Sequence, residues 1–436
     1  MAATAQRIFF RRPAEDFFVG AARLVLHPLQ MLIALPTFLF LAALTAMLLR
    51  HPDVKFYQID RVAFGLLLLC VIGRSVIFRQ RVFLIERATW PMMGLTLLAF
   101  VSVAGRPFDN QTWSLLASKF LVPFTLFHIA GLVFTEERHY RQFEVFCVVL
   151  LGYLSFTAIA FLSGAHSLIF PRFILDESLG IQAHRARGPM LQAVANGVSL
   201  NILGVVGLHA YRRKAMRGPW ITVLLTSLPL AILATMTRTV WLSFLGTLIA
   251  IAKNSTLKKA SVVAMVLCLG CMAAVFSSKQ LGAAVGERFE ERAPVEFREA
   301  VYAGGWQMFL QKPWMGWGFH QMPGELPRYV SGYTQKELYP HNTYLELLVE
   351  HGVLGLALYL WLMWELWRLG KGRIPSQEKN GFLSLQFHGL WPILLAVYWV
   401  NALVVVMSYQ FVNGLLFTIA GMLAAQERRA EARQPC

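Results

Sequence analysis

The residues best equipped for chemistry lie far apart along the chain. In Tyr339-Pro340-His341-Asn342-Thr343-Tyr344-Leu345-Glu346, Thr343 followed by Glu346 reads as a capping box, which puts His341 just outside a helix N-terminus. The positive end of a helix disfavours imidazolium and keeps His341 neutral, whereas a bound phosphate would pull the other way. A neutral imidazole with a pKa near the working pH is a good general base. Read alone, a histidine near a helix start is more often a surface or packing residue. The arginines expected on the same side of the chain give the chemical reading its weight.

Arg238 sits in Thr235-Met236-Thr237-Arg238-Thr239, a turn of a few residues between two apolar blocks. Its guanidinium either snorkels to lipid phosphate or is a fixed cation for a phosphorylated lipid substrate, because the guanidinium fork matches phosphate oxygens bidentately. Arg185 and Arg187 stand immediately before Gly188-Pro189. Pro189 suits the first turn of a helix, so Arg187 would lie beside N-terminal amides, where anions bind. Arg288, Arg292 and Arg298 add further cations, with Glu287, Glu290, Glu291 and Glu299 as alternative ion-pair partners. Glu346 and Glu350 share one helix face as it enters the apolar block that follows, where an unpaired carboxylate is expensive. They anchor an arginine, orient His341 or act as bases; structural pairing is the expected role of Glu350.

The elements that must position these residues are membrane helices. The chain has 436 residues, 56% of them hydrophobic and 15% charged, against about 25% charged in ordinary soluble proteins. Apolar spans are expected near 28–49, 62–78, 88–105, 113–134, 143–163, 189–210, 219–236, 239–252, 260–277, 344–367, 383–407 and 409–426. The expected fold is therefore an all-α integral membrane protein of about twelve transmembrane helices. Its units are 1–277 (spans 1–9), a long loop over 278–341, 342–427 (spans 10–12) and a tail from 428 to 436. With a cytoplasmic N-terminus, inward-facing connections hold 24 Lys and Arg and short outward-facing ones hold eight, which puts both termini in the cytoplasm and the long loop outside. A helix-like stretch from Pro294 to Lys312 is expected on the outer membrane surface. Phe297, Val301 and Met308 would point down and Trp306, Trp314 and Trp317 would sit at headgroup depth.

Other classes fit poorly. The net charge of +16 is scattered between apolar blocks rather than gathered on one soluble face, which argues against nucleic acid as a partner. The five cysteines suggest no disulfide framework, and the Cys268 and Cys271 pair lacks a second ligand pair, so packing is the expected role. There is no Asp-x-Asp, Walker A loop or dinucleotide fingerprint, and His166, His184, His320 and His341 lack zinc-like spacing. No metal and no cofactor is expected. If a pyrophosphate leaves, arginine must supply the electrostatics.

Four stretches resemble the O-antigen ligase and polymerase superfamily, integral membrane enzymes of bacterial envelope polysaccharides. These are Arg187-Gly188-Pro189 with Asn196; Thr237-Arg238; Arg298, Trp306 and Pro313-Trp314-Met315-Gly316-Trp317-Gly318; and His341-Asn342 through Leu345, Glu350, Gly352 and Gly355. The last is the most specific. Two departures stand out: no Asn-Pro pair follows Arg187-Gly188, and Thr237 replaces the commoner serine.

The resemblance implies a metal-independent, inverting transferase in the bacterial inner membrane with a periplasmic active site. Such an enzyme takes a glycan from undecaprenyl diphosphate and joins it to lipid A core oligosaccharide. His341 would be the base, Arg187 and Arg238 would hold the diphosphate, and Arg185, Arg288, Arg292, Arg298, Asn342 and Glu350 would bind substrate. A polymerase of repeat units uses the same parts. A flippase or exporter of lipid-linked sugars would also want outward arginines, but no base at His341.

Overall fold

A computed structural model of the protein describes residues 35–50, 59–79, 81–180, 182–216, 218–253, 293–333, 335–375 and 381–432, with scattered positions between 262 and 286. Regular structure among the described residues is helical, with no strand. The principal helices are α1 (Pro36–Leu48), α2 (Ile59–Phe78), α3 (Thr89–Ala104), α4 (Asn110–Val133), α5 (Glu137–Leu162), α6 (Ala193–Arg212), α7 (Pro219–Ala234) and α8 (Arg238–Ala252). They continue with α9 (Ala293–Gln311), α10 (Thr343–Leu369), α11 (Leu385–Ala402) and α12 (Gln410–Ala432).

Five of them, α2, α4, α5, α6 and α10, are long and apolar enough to cross a membrane, and α1, α3, α7 and α8 are shorter apolar helices. With backbone polar groups satisfied within each helix, this is the architecture of an integral membrane protein. The expected span at 260–277 lies largely outside the described residues, as do Cys268 and Cys271. The stretch expected as one span over 383–407 is helical only to Ala402; the chain from Leu403 to Tyr409 then turns back without helix to start α12.

Helix α6 is buried along nearly its whole length, with α5, α7, α8 and α11 around it. Helix α12 lies along α4 so closely that a Cβ on Gly421 would stand 2.1 Å from the carbonyl oxygen of Phe127, the small-residue contact expected of helices in lipid. Polar side chains join helices in the interior: Asn401 Nδ2 donates to Ser243 Oγ at 3.1 Å, and Tyr398 Oη donates to Asn413 Oδ1 at 2.8 Å. Such bonds are worth about 0.6 kcal/mol each in membrane proteins.

The bundle has two ends. At one, Arg213 bridges Glu144 and Glu137, and His209 Nε2 meets Phe382 O at 2.8 Å. At the other, the chain before α6 bonds the end of α7, Ala186 N–H to Ala234 O at 3.2 Å, and Arg106 after α3 bonds Phe319 O at 3.1 Å. The candidate residues among the described ones are at this second end.

Helix α9 departs from its expected setting. Val301 and Met308 are buried, but against Met322, Leu326, Val330, Leu338 and Val349. The chain from 322 to 338 folds back over the apolar face and replaces the membrane surface as its cover. Trp306 and Trp314 are exposed, whereas Trp317 is held inward by its Nε1–H, which donates to Met308 O at 2.8 Å.

Candidate functional site at the loop-bearing end

Helix α10 begins where Asn342 caps it. Its side-chain oxygen accepts from the N–H groups of Tyr344 at 3.0 Å and Leu345 at 3.1 Å. Thr343, expected as the cap, instead donates to Val405 O and accepts from Met407 N–H, both at 2.9 Å, and so ties α10 to the chain between α11 and α12. Asparagine satisfies end amides as well as threonine does, so His341 still falls just outside the helix. Its backbone is left-handed, at φ 47°. The ring is half-buried, 6.3 Å from that of Phe297 in α9. Burial lowers its pKa from the usual histidine value, and the neighbouring Arg298 lowers it further. The imidazole is therefore held neutral, by desolvation first and by the guanidinium second.

Glu346 makes no capping box; it pairs with Lys119 at 2.5 Å. Lys119 lies in a π-helical turn, Ala117–Leu121, inside α4. Pro123, two residues beyond that turn, has no N–H for the carbonyl of Lys119, and the ladder shifts register there. One turn below Glu346, the carboxylate of Glu350 is buried and accepts no hydrogen bond. The backbone of His320 approaches it without completing one. Among the described residues no arginine pairs with Glu350; the positive charges near it are Lys119, which is on Glu346, and Arg106. The sequence signal for this cluster is a lone lysine, Lys119, within an apolar span.

Next to Glu350, α10 is broken. Gly352 has φ 66° and ψ −166°, a combination essentially confined to glycine. The Pro313–Gly318 loop threads into the break. Trp317 N–H donates to Val349 O at 2.9 Å, Gly318 N–H to Glu350 O at 2.8 Å, and Val353 N–H returns a bond to Pro313 O at 2.8 Å. A Cβ at Gly352 would stand 2.2 Å from Trp314 O, and one at Gly316 2.5 Å from Glu350 O. The two glycine-bearing stretches thus interlock, and the loop satisfies groups that a broken helix would leave bare.

On the α6 side, Arg187 is fully buried. Its Nε–H donates to Ile174 O at 3.0 Å, and its two terminal nitrogens donate to Asp176 O and Leu179 O. The guanidinium expected to face an anion instead holds the loop over 174–179 in shape. Asn196 Nδ2 secures the chain beside Arg187 through Ala186 O at 2.9 Å. Arg185, largely buried, donates from Nε to His184 Nε2 at 3.1 Å. Arg238 opens α8, half-buried, and the Ala186–Ala234 bond brings its turn against the Arg185–Arg187 segment.

The structure thus forms two groups. Arg298, His341 and Asn342 lie together where α9 packs on the start of α10, with Glu350 farther down that helix; Arg185 and Arg187 lie in the chain before α6, which the Ala186–Ala234 bond ties to the turn that carries Arg238. The chain after α11 runs between them, bonded to Thr343 at Val405 and Met407, while α11 itself is bonded to α8 through Asn401 and Ser243. Arg288 and Arg292 lie outside the described residues. Among the described residues no three His, Cys, Asp or Glu side chains are grouped as metal ligands.

Comparison with known proteins adds one finding. The O-antigen ligase family model matches residues 221–360, from α7 into α10, a stretch that includes Arg238, Arg298, His341 and Glu350 but not Arg185 or Arg187. The match supports the O-antigen ligase superfamily. No curated protein matches the chain.

Proposed function

We propose that this chain, with its O-antigen ligase match and membrane-length helices, is a glycosyltransferase joining a lipid-linked glycan to lipid A core oligosaccharide. The donor is undecaprenyl diphosphate glycan. The site lies on the periplasmic side of the bacterial inner membrane, and both termini are cytoplasmic. The observation that carries the reading is a half-buried imidazole at the mouth of α10, kept neutral by burial and by Arg298.

His341 takes the proton from an acceptor hydroxyl. The oxygen attacks the anomeric carbon of the donor sugar from the face opposite the diphosphate, and the bond from that carbon to the diphosphate oxygen breaks. The configuration inverts, and the leaving undecaprenyl diphosphate carries the new negative charge. Arg238 and Arg185 stabilise that charge, work that guanidinium does without a metal ion. Arg187 acts from one layer back by fixing the loop next to Arg185. Arg298 and Asn342 set the neutrality and position of His341, and Glu350 anchors the broken stretch of α10. Arg288 and Arg292 would add cations from the long loop.

The test is reconstitution of purified protein with undecaprenyl-diphosphate glycan and lipid A core in the absence of divalent metal. A ligated product is expected. Longer chains on the carrier would instead identify a polymerase using the same chemistry, and the absence of both products would point to transport. EDTA should change the rate less than about twofold against the ~100-fold or greater loss expected when an essential charge stabiliser is removed. Strong inhibition reversed by magnesium would overturn the role given to arginine.

A further inference from the structure

A cavity of about 430 Å³ opens at the loop-bearing end, between the end of α1, the start of α4, the segment 189–192 and the start of α12. That is within the range of about 300–1,000 Å³ typical of small-molecule sites. Its wall carries neutral polar side chains, Ser118, Gln192, Ser408 and Gln410, beside the ring of Tyr409. The cation among its described lining residues is Arg50, which already faces Asp60 at 3.6 Å and Gln410 Oε1 at 3.5 Å. A diphosphate calls for several open cations, and this wall does not present them. A sugar ring suits both halves of the wall: its hydroxyls pair with neutral donors and acceptors, and its C–H face lies on an aromatic ring. Gln192 and Tyr409 stand side by side in this wall, one amide next to one aromatic ring.

We infer that this cavity is a saccharide subsite seating one sugar unit of the glycans that the enzyme joins, an inference that rests on the transferase reading above. Its walls belong to the two groups of the candidate site. Gln192 N–H donates to Arg187 O at 3.2 Å. Gly180 in the wall follows Leu179, whose carbonyl the Arg187 guanidinium holds. On the other side Ser408 follows Met407, which is bonded to Thr343 two residues beyond His341. Arg187 is on this account a positioning residue for the cavity wall.

The test measures equilibrium binding to full-length protein in nanodiscs with three probes: deacylated lipid A core oligosaccharide, undecaprenyl-diphosphate glycan and undecaprenyl diphosphate without glycan. Gln192→Leu and Gln410→Leu are compared with the wild type, and their thermal midpoints are recorded. At least one variant with an unchanged midpoint should bind a glycan probe about tenfold more weakly, or ~1.4 kcal/mol, and the bare carrier as before. A loss confined to the oligosaccharide assigns the cavity to the acceptor; one confined to the lipid-linked glycan assigns it to the donor. Unchanged binding of all three probes to both variants, or equal loss of the bare carrier, overturns the subsite. A wild type that binds neither glycan overturns the transferase reading itself, which is a separate result.

Discussion

His341→Ala is expected to lower transfer at least ~100-fold, the low end of what a positioned base contributes, with the thermal midpoint unchanged because the ring is only half-buried. Undiminished product would remove it as the base. The pH profile makes a finer test. The base works when neutral, and its pKa is depressed by burial and then by Arg298, so the acid limb of kcat/KM should fall below the ~6.5 of an ordinary histidine. Removing one depressing charge in Arg298→Gln should move that limb to higher pH; a profile that stays put would detach Arg298 from His341. Lys119→Met leaves Glu346 buried without its cation and should cost about 3–5 kcal/mol, read from the unfolding midpoint. Adding Glu346→Leu should restore most of it. The position of His341 outside a helix start was legible because Asn and Thr caps differ by one residue. The partners of Arg187 are not: three main-chain carbonyls from a loop leave no mark in residue types, and residue types alone leave the arginine open to an anion.

At the scale of elements, the break in α10 is the feature most exposed to a small change. Gly352→Ala puts a side chain 2.2 Å from the Trp314 carbonyl on a backbone that only glycine adopts readily. It should cost at least about 1–3 kcal/mol and free the Pro313–Gly318 loop, seen as faster proteolysis there. Gly65→Ala, with nothing within 4 Å of the added carbon in the middle of α2, should stabilise by about 0.5–1 kcal/mol and serves as the control. Apolar blocks revealed where most helices run, since each must satisfy its own backbone in lipid. They could not reveal that α10 is discontinuous, because a glycine in a span is common and only its contact with a distant loop makes it a break. The apolar side of α9 was equally readable, but the choice between membrane and folded loop as its cover depends on residues 322–338 packing back.

At the scale of the whole molecule, the bundle gathers its described candidate residues at one end and the Arg213 bridge to Glu144 and Glu137 at the other. Sidedness is tested with single cysteines in a background freed of the natural five. Ser331→Cys, exposed near the candidate site, should react with an impermeant maleimide in intact spheroplasts. Lys214→Cys, exposed after α6, should react only after permeabilisation. The reverse pattern would invert the topology. Charge bias along the connections gives the expected sidedness that this labelling tests, whereas the internal arrangement of each group of candidate residues depends on hydrogen bonds that no periodicity encodes.

The weave of Pro313–Gly318 through α10 also constrains how such proteins diversify. Neither strand of that knot keeps its shape without the other, so a chimera that imports a foreign outer segment alone would bring the wrong main-chain partners to Val349, Glu350 and Val353. Successful crossovers should fall before Ala293 and after Gly355, with everything between inherited as one cassette.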